Sequence, residues 1–516
     1  MMARGNWGSV LTWTRLAVCA AALLTALTTS ARGDTLVVRA GDDLQAALDR
    51  ARPGDTVLLE AGATFVGNFV LRLKSGQAYI TIRSSASDDE LPRARQRIFP
   101  RDAWALPKLR SPNSLPVLTT EPGAHHWRLL FLEIGPNATP HSDVIKFGEG
   151  NATSQTTLAQ VPHHLEIDRC YIHGDPVVGQ KRGVALNSAS TRIINSYFSD
   201  FKLVGQDTQA IAGWNGPGQL LIENNYLEAA GENVMFGGAD PAIPNLVPSE
   251  IVFRGNHVSK PITWRRERWT VKNLFELKNA ERVLIEHNLF EHNWLSAQPG
   301  PAILFTVRNQ DGRAPWSRVQ RVMFRANVVR HVAAAFNILG FDNNFPSGQT
   351  RDIAIHHNLI TDVSASVWGG NGNFLLIGDA AGGIDVDHNT VMHSGAAVSA
   401  YGRPTTGFRF RNNLLPHNLY GIKGDSRPTG RETLSTYFPG AVVEYNAFAE
   451  GPASVYPPRN LFPNHGVWVA QFRDYDGADY ELVSSSTFRN AGSDGRDLGA
   501  DPEMLRLAFA AIAGGR

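Results

Sequence analysis

The sequence predicts an all-β protein, a single right-handed parallel β-helix with a short N-terminal capping helix and a C-terminal cap. The first observation is a short unit that recurs along the chain: alternating apolar residues, then a polar position occupied mostly by Asn, then another apolar residue. The second is its spacing, because the ten polar positions lie 24 to 39 residues apart, as in the turns of a solenoid. Alternation with a period of two indicates strands and excludes helical repeats.

The polar position of the repeat predicts a structural ladder. It is occupied by Asn225, Asn256, Asn288, Asn327, Asn358, Asn389, Asn413 and Asn446, with Cys170 and Ser196 in the same position upstream. Asn tolerates left-handed backbone angles at turns, and stacked Asn side chains can hydrogen-bond along the axis. We therefore expect these residues to hold the fold together, and we expect Cys170 to be a buried small residue rather than a nucleophile.

Both ends of the chain carry segments that can close the solenoid, whose terminal strands would otherwise be exposed. One helical face near the N-terminus is apolar and is followed by a Pro-Gly pair; its residues are Leu44, Ala47, Leu48 and Ala51. This stretch resembles the entry of pectate-lyase-type β-helices, and residues 480–505 resemble the closing segment of bacterial right-handed β-helix proteins. We expect a cap and first coils over 34–120, the β-helix over 121–470 and a C-terminal cap over 471–516.

The first 33 residues are typical of a secretory signal peptide. Arg4 and Arg15 precede or begin the apolar run Leu16–Leu27, and small residues follow it. The run is shorter than the roughly 20 residues that span a bilayer. Residues 1–33 contain Arg4, Arg15 and Arg32 and no acidic residue, so their removal would change the formal net charge from +1 to −2. We therefore expect a secreted (periplasmic or extracellular) monomer with no membrane domain and no nucleic-acid partner.

Two six-residue segments suggest where chemistry could occur. LFELKN (274–279) and LFTVRN (304–309) share a pattern in which the fifth residue is a cation. Aligning them in adjacent coils places Lys278 opposite Arg308, with Phe275 and Leu277 facing the core. The polar residues then form one outward patch: Glu276, Lys278, Thr306, Arg308 and Asn337.

At these residues the chain resembles the chondroitinase-B and alginate-lyase group, polysaccharide lyase family 6. The resemblance implies a secreted lyase that cleaves a uronate-containing polysaccharide by β-elimination. It implies Lys278 as the base that removes the C5 proton of a uronate and Arg308 as the group that neutralises its carboxylate.

The resemblance also implies calcium, which that family holds with acidic residues five and seven positions before the lysine. Here those positions are Asn273 and Val271, so the sequence departs from the family pattern. The candidates that could replace them as Ca²⁺ ligands are Glu232, Asn233 and Glu276.

Aromatic and basic residues around the two cations fit a sugar-binding surface, because indole rings stack on sugars and guanidinium groups bind carboxylates. The substrate-binding candidates are Glu276, Asn337, Trp264, Arg266, Trp294 and Trp316.

Two other functions stay open. A parallel β-helix presents a long groove whether or not it is catalytic, so a carbohydrate-binding or surface protein is one alternative. A glycoside hydrolase is the other; it would need two facing carboxylates. Asp379, Asp385 and Asp387 lie close together in the sequence, but the motifs of polygalacturonase-type hydrolases are absent.

Overall fold

The computed structural model describes residues 33–150 and 153–513. Three long parallel sheets wind around one core within these ranges, which confirms the predicted β-helix. Each coil contributes one strand to sheet A, one to sheet B and one to sheet C, in that order. The predicted signal peptide lies, apart from its last residue, outside the described ranges.

Sheet A contains β1 (Thr35–Val38), β2 (Thr56–Leu59), β5 (Ile80–Ser84), β8 (His125–Leu130), β11 (His163–Asp168), β14 (Ala189–Ile194), β17 (Gly218–Glu223), β20 (Ser249–Arg254), β23 (Ala280–Glu286), β26 (Val319–Arg325), β29 (Arg351–His356), β32 (Gly382–Asp387), β35 (Arg409–Arg411) and β38 (Val442–Glu444). Sheet B contains β3 (Thr64–Val66), β6 (Lys108–Ser111), β9 (Glu133–Asn137), β12 (Tyr171–His173), β15 (Tyr197–Phe201), β18 (Tyr226–Ala229), β21 (His257–Ser259), β24 (Leu289–Asn293), β27 (Val328–Val332), β30 (Leu359–Val363), β33 (Thr390–His393), β36 (Leu414–Pro416) and β39 (Ala447–Ala449).

Sheet C contains β4 (Phe69–Leu71), β7 (Leu118–Thr120), β10 (Asp143–Phe147), β13 (Arg182–Leu186), β16 (Gln209–Gly213), β19 (Glu232–Phe236), β22 (Asn273–Leu277), β25 (Pro301–Thr306), β28 (Ala334–Leu339), β31 (Leu375–Gly378), β34 (Val398–Tyr401) and β37 (Ile422–Gly424). A hairpin near the C-terminus is formed by β40 (Phe472–Asp474) and β41 (Asp479–Leu482). The α-helices are α1 (Leu44–Arg50), α2 (Ala365–Trp368), α3 (Arg431–Tyr437), α4 (His465–Val469) and α5 (Pro502–Ala513), and short 3₁₀ turns span Pro100–Ala105, Leu158–Gln160, Ile262–Arg266 and Ala453–Val455.

The caps use amphipathic helices. The side chain of Asp43 accepts a hydrogen bond from the backbone of Ala46 and begins α1, whose apolar face is buried as predicted. At the other end, α3 lies against β37, and Leu434 packs into the main core. Helix α5 instead packs Leu505 and Ala508 on the outside of sheet B. No helix within the described ranges is both long and apolar enough to cross a bilayer.

The Asn ladder lies at the turn between sheet A and sheet B, and its hydrogen bonds confirm the predicted structural role. The Asn288 side chain donates to Asn327 Oδ1 at 2.9 Å and to the Phe253 carbonyl at 2.9 Å. In turn it accepts hydrogen bonds from the backbone and the side chain of Asn256. The Asn288 amide is thereby satisfied by the neighbouring coils.

The left-handed backbone angle belongs to the residue before each ladder Asn, which corrects our expectation for the Asn itself. His287, His357 and His388 occupy that preceding position, with φ of 56°, 53° and 52°. The turn therefore separates the two tasks: one residue takes the strained angle, and the next supplies the interior amide.

Cys170 belongs to the same ladder, as predicted. It is fully buried, its backbone N–H donates to Ser196 Oγ at 3.0 Å, and burial raises the pKa of its thiol to about 12. A thiol in this state is a poor nucleophile at neutral pH. The ladder also continues one coil further than the sequence indicated, because Asn460 accepts a hydrogen bond from the Asn446 backbone.

Candidate active site

Lys278 directly follows β22 and reaches the outer surface of sheet C. Its backbone N–H donates to the Phe236 carbonyl of the preceding coil at 2.7 Å. A side chain at Gly237 would place its Cβ only 2.9 Å from that of Lys278, so the glycine makes room for the lysine. The Lys278 side chain is 19% exposed, and its Nζ lies 3.4 Å from Glu276 Oε1.

Glu276 points to the same face but is buried. Burial raises the pKa of its carboxyl, the nearby Lys278 opposes that effect, and Glu232 in the preceding coil adds to it. The Asn273 amide donates to Glu276 Oε2 at 3.2 Å. Lys278 therefore sits beside a buried acid whose charge costs more free energy than it would in water.

Arg308 comes from the following coil and is anchored by a buried carboxylate. Its guanidinium lies 2.6 Å from Asp342 Oδ1, and the other oxygen of Asp342 accepts from the Asn309 backbone at 2.7 Å. The backbone N–H of Arg308 donates to the Lys278 carbonyl at 2.9 Å. The two cations of the repeated segments are therefore neighbours in space, and the Arg308 side chain is 24% exposed.

The strand register differs from the predicted alignment by two residues. Glu276 pairs with Leu304 rather than Thr306, and the ladder places Thr306 opposite Leu339, in the column of Lys278. Arg308 therefore lies beyond that column, in the loop that follows β25. Ile303, Phe305 and Val307 face inward, so a two-residue shift keeps every side chain on the same face and cannot be detected from alternation.

The last residue of each repeated segment has a structural role. Asn279 accepts from the Arg318 backbone, and Asn309 accepts from the Ala314 backbone and donates to the Pro346 carbonyl. Both are buried. Each Asn fixes the loop that leaves sheet C, which explains why the segment is repeated without any reference to chemistry.

The predicted calcium ligands do not form a suitable donor set. Asn233 turns away from the site, because its Oδ1 accepts from the fully buried Lys260 ammonium at 2.6 Å. Lys260 also donates to the carbonyls of Ala229, Ala230, Gly231 and Asn273. This corrects the assignment of Asn233: the turn after β18 gathers carbonyl oxygens, and an internal ammonium satisfies them.

The two acids are also engaged. Glu232 accepts from Gln209 at 2.8 Å and lies 3.3 Å from the Lys272 ammonium, while Glu276 contacts Lys278. Two buried oxygens here have no hydrogen-bond partner: Asn273 Oδ1 and Glu232 Oε1, the oxygen that faces the Lys272 ammonium. Ca²⁺ takes about six to eight oxygen ligands. Lysine side chains contact both acids and Asn233 is turned away, so the residues present offer too few free oxygens to fit Ca²⁺.

Two of the aromatic candidates are buried. Trp264 and Trp294, 4% and 6% exposed, pack together with Trp368 in a cluster under the loops that join sheet B to sheet C. They therefore cannot stack on a sugar, which corrects their assignment as substrate-binding residues. Arg266 is exposed on the same set of loops.

The remaining candidates keep some accessibility. Trp316 is half-buried, and its indole N–H donates to the Leu246 carbonyl at 3.0 Å, which fixes the loop after Arg308. Asn337 pairs with Leu304 on the outer face of sheet C, and its Oδ1 is buried without a hydrogen-bond partner.

A cleft of about 420 Å³ extends from Gly237 and Gly238, beside Lys278, along sheet C toward the N-terminus. Its lining includes Lys146, Lys181, Arg182 and Trp214, none of which the sequence reasoning identified. The Arg182 guanidinium lies over the Trp214 ring at 5.2 Å. These residues are scattered over three coils, and only the known register brings them together.

Polar side chains link this cleft to the acids near Lys278 across four coils. Asp143 pairs with Arg182 at 2.8 Å, Arg182 donates to Gln209 at 2.9 Å, and Gln209 donates to Glu232. These residues occupy one register column. The connected hydrogen bonds fix these side chains at the start of four successive strands of sheet C.

The three aspartates considered for a hydrolase are all paired with arginines. Asp379 follows a strand of sheet C and binds Arg403, whereas Asp385 and Asp387 lie side by side on the outer face of β32 in sheet A and both contact Arg411. Burial raises the pKa of Asp385, but hydrogen bonds from His356 and Arg409 outweigh it and lower this pKa to about 2. A general acid needs the opposite shift.

Comparisons with known proteins bear on the fold. No protein-family model matches the sequence, and no curated protein matches it. Among solved structures, the family 6 alginate lyase AlyGC superposes with a TM-score of 0.52 at 12% identity, covering 92% of this chain. This chain spans 58% of that lyase's length. A mannuronic acid specific family 6 lyase from human gut microbiota gives a TM-score of 0.47 at 13% identity, covering 83% of this chain and 91% of its own. The chain is thus a right-handed parallel β-helix protein with the same fold as that alginate lyase.

Proposed function

We propose that this chain is a polysaccharide lyase that cleaves a uronate-containing polymer by β-elimination, with Lys278 as the base and Arg308 as the neutralising cation. The observation that carries the proposal is their contact. The Arg308 backbone bonds to the Lys278 carbonyl, and both side chains remain partly exposed on the outer side of sheet C. The fold shared with an alginate lyase supports it.

The chemistry requires two groups in these roles. Lys278, as the neutral amine, takes the C5 proton of a uronate, and the electron pair left on C5 is delocalised into the carboxyl group. Arg308 stabilises the charge that develops there. The C4–O bond then breaks as the C4–C5 double bond forms, and the protonated Lys278 can return its proton to the departing oxygen.

The neighbouring acids support these roles differently. Asp342 holds the Arg308 guanidinium in place, so a carboxylate that reaches it meets an oriented fork of donors. Glu276, in contact with Lys278, offers a buried acceptor for the ammonium formed during the reaction. Both are positioning residues in this scheme.

The cleft toward the N-terminus supports a polymeric, anionic substrate. Lys146, Lys181 and Arg182 line it together with Trp214. Arg182 and Lys146 each pair with an acid, Asp143 and Glu149, and these pairs can exchange for substrate carboxylates. A chain of uronates that passes Lys278 would place further sugars over these residues.

We infer that catalysis proceeds without Ca²⁺, because Lys272 contacts Glu232 and Lys260 donates a hydrogen bond to Asn233. We expect the activity to be unchanged after dialysis against a chelator. A loss of activity that added Ca²⁺ restores would contradict the inference.

We also propose that residues 1–33 direct export and that the protein acts as a monomer, as the sequence suggests.

The decisive experiment incubates the purified chain with alginate, polymannuronate, polyguluronate, chondroitin and pectate. The ultraviolet absorbance of an unsaturated uronate at new chain ends is expected with at least one polymer. New reducing ends without that absorbance would indicate a hydrolase and overturn the proposal.

The second candidate is a carbohydrate-binding protein without catalysis. It is favoured by the same ion pairs, since Lys278–Glu276 and Arg308–Asp342 give both cations a structural role without catalysis. Binding of these polymers, measured by calorimetry, with no product from any of them would support this candidate.

A further inference from the structure

A cluster of four histidines lies on sheet A, near the N-terminal end of the solenoid and apart from the candidate active site. His125 and His126 begin β8, and His163 and His164 begin β11. His163 pairs with His125 in the strand register. Within each pair the two Nδ1 atoms are close, at 2.8 Å and 2.7 Å.

The backbone explains this convergence. Successive side chains of a regular strand point to opposite faces, but His126 and His164 have φ of 58° and 53°. The left-handed residue turns its ring toward that of the preceding histidine. The rings of neighbouring coils also stack, with centroids 4.8 Å apart for His125 and His163 and 4.6 Å for His126 and His164.

The same left-handed position recurs in the next coils without histidine. It is occupied there by Ser190, Gln219 and Glu250, with φ of 47°, 60° and 54°. The backbone turn is therefore a general feature of sheet A in this part of the fold. The four converging imidazoles are not required by it.

We propose that this histidine cluster binds a divalent transition metal ion of the Cu²⁺ or Ni²⁺ type. Ring nitrogens of His126, His163 and His164 all lie within 4.8 Å of one another, and His125 is stacked beside them. Neutral imidazole suits these metals, and an oxygen-preferring ion such as Ca²⁺ has no carboxylate in this group.

The nitrogen spacing indicates the geometry. With metal–nitrogen bonds of about 2.0 Å, two ligands at a right angle lie about 2.8 Å apart, whereas a tetrahedral angle separates them by about 3.3 Å. Each Nδ1 pair, joined by a hydrogen bond in the metal-free chain, already has the separation of two ligands at a right angle. Square-planar or tetragonal coordination is the preference of Cu²⁺ and Ni²⁺, and Cu²⁺ binds most tightly in this series.

The cluster is also accessible. His164 is exposed and the other three are partly exposed, so an ion can reach the rings from solvent. A bound ion would join two adjacent coils close to the N-terminal cap.

The test titrates tag-free protein with CuCl₂ and follows binding by calorimetry and electron paramagnetic resonance. One Cu²⁺ per chain is expected, with nitrogen hyperfine structure and a raised thermal unfolding midpoint. The variant His126→Asn/His164→Asn should lose all three effects. Asn tolerates the left-handed angle, so this variant should keep the fold.

A matched control is His357→Asn, which removes a left-handed histidine stacked on His388 at 4.9 Å, at the turn between sheets A and B. It should bind Cu²⁺ as the wild type does. If the double variant unfolds, the exposed His164→Asn alone provides the comparison. Absent Cu²⁺ binding by the wild type, or unchanged nitrogen hyperfine structure in the His164 variant, would overturn the proposal.

Discussion

Sequence repetition has different consequences in two regions of this solenoid: the turn between sheets A and B, and the outer face of sheet C around Lys278 and Arg308. At the first, Asn follows Asn from coil to coil, and each amide satisfies the next. At the second, the strand pattern repeats, but the outward residues change from coil to coil, and the cations Lys278 and Arg308 are held by separate acids.

The difference teaches how to separate structure from function in a repeat protein. A residue that recurs and bonds to its own copies stabilises the stack. Outward charged residues that change between coils are not needed by the stack, so their arrangement can serve chemistry. The predictions below test this division, beginning with the largest effect.

Loss of either cation should remove catalysis. Lys278→Ala and Arg308→Ala are each expected to lower kcat by about 10³-fold, because one removes the base and the other the charge that stabilises the intermediate. Product absorbance on the polymer that the wild type cleaves is the measurement.

The matched control is Lys423→Ala, which removes an outward lysine from β37, in the register column of Glu276. It should retain wild-type activity. Equal activity of Lys278→Ala and the wild type would show that Lys278 is not the base.

Loss of a ladder residue should affect stability. Asn288→Ala removes hydrogen bonds to two coils and leaves buried groups unpaired, so the free energy of unfolding should fall by about 3 kcal/mol. Denaturant titration measures the change, and exposed Asn343→Ala is the control. Folded Asn288→Ala protein should keep its kcat. A large fall in kcat would contradict the division between structural ladder residues and functional outward residues.

Loss of the acid that anchors Arg308 should have an intermediate effect. Asp342→Asn frees the guanidinium, and kcat should fall by about 10- to 100-fold with a smaller change in KM, because misplacement weakens the transition state most. Asp379→Asn, which releases Arg403 two coils away, should leave the kinetics unaltered. A KM effect alone would assign Asp342 to binding rather than positioning.

The smallest effect is expected in the cleft. Trp214→Ala should raise KM about fivefold with little change in kcat, since stacking on an aromatic ring contributes about 1 kcal/mol. The exposed Trp104, in the 3₁₀ turn Pro100–Ala105 outside the cleft, gives a control variant that should behave as the wild type. An unchanged KM for Trp214→Ala would place the substrate elsewhere.

Much of the fold was predictable because its signals are local. The alternation of apolar residues, the spacing of the Asn positions and the apolar face of α1 each depend on residues near in sequence, and the structure confirms them. The adjacency of Lys278 and Arg308 was also predictable from the repeated segments, although their alignment was wrong by two residues.

The tertiary structure alone decided the rest. Successive side chains of a strand point to opposite faces, so two registers of β25 that differ by two residues place the same side chains outward. The sequence therefore could not distinguish between them. No local pattern indicated that Trp264 and Trp294 would be buried together or that Lys260 would donate hydrogen bonds to the oxygens near Asn233, because burial depends on loops from several coils. The sequence by itself determined the coil and its ladder; three-dimensional packing decided which outward residues share a surface.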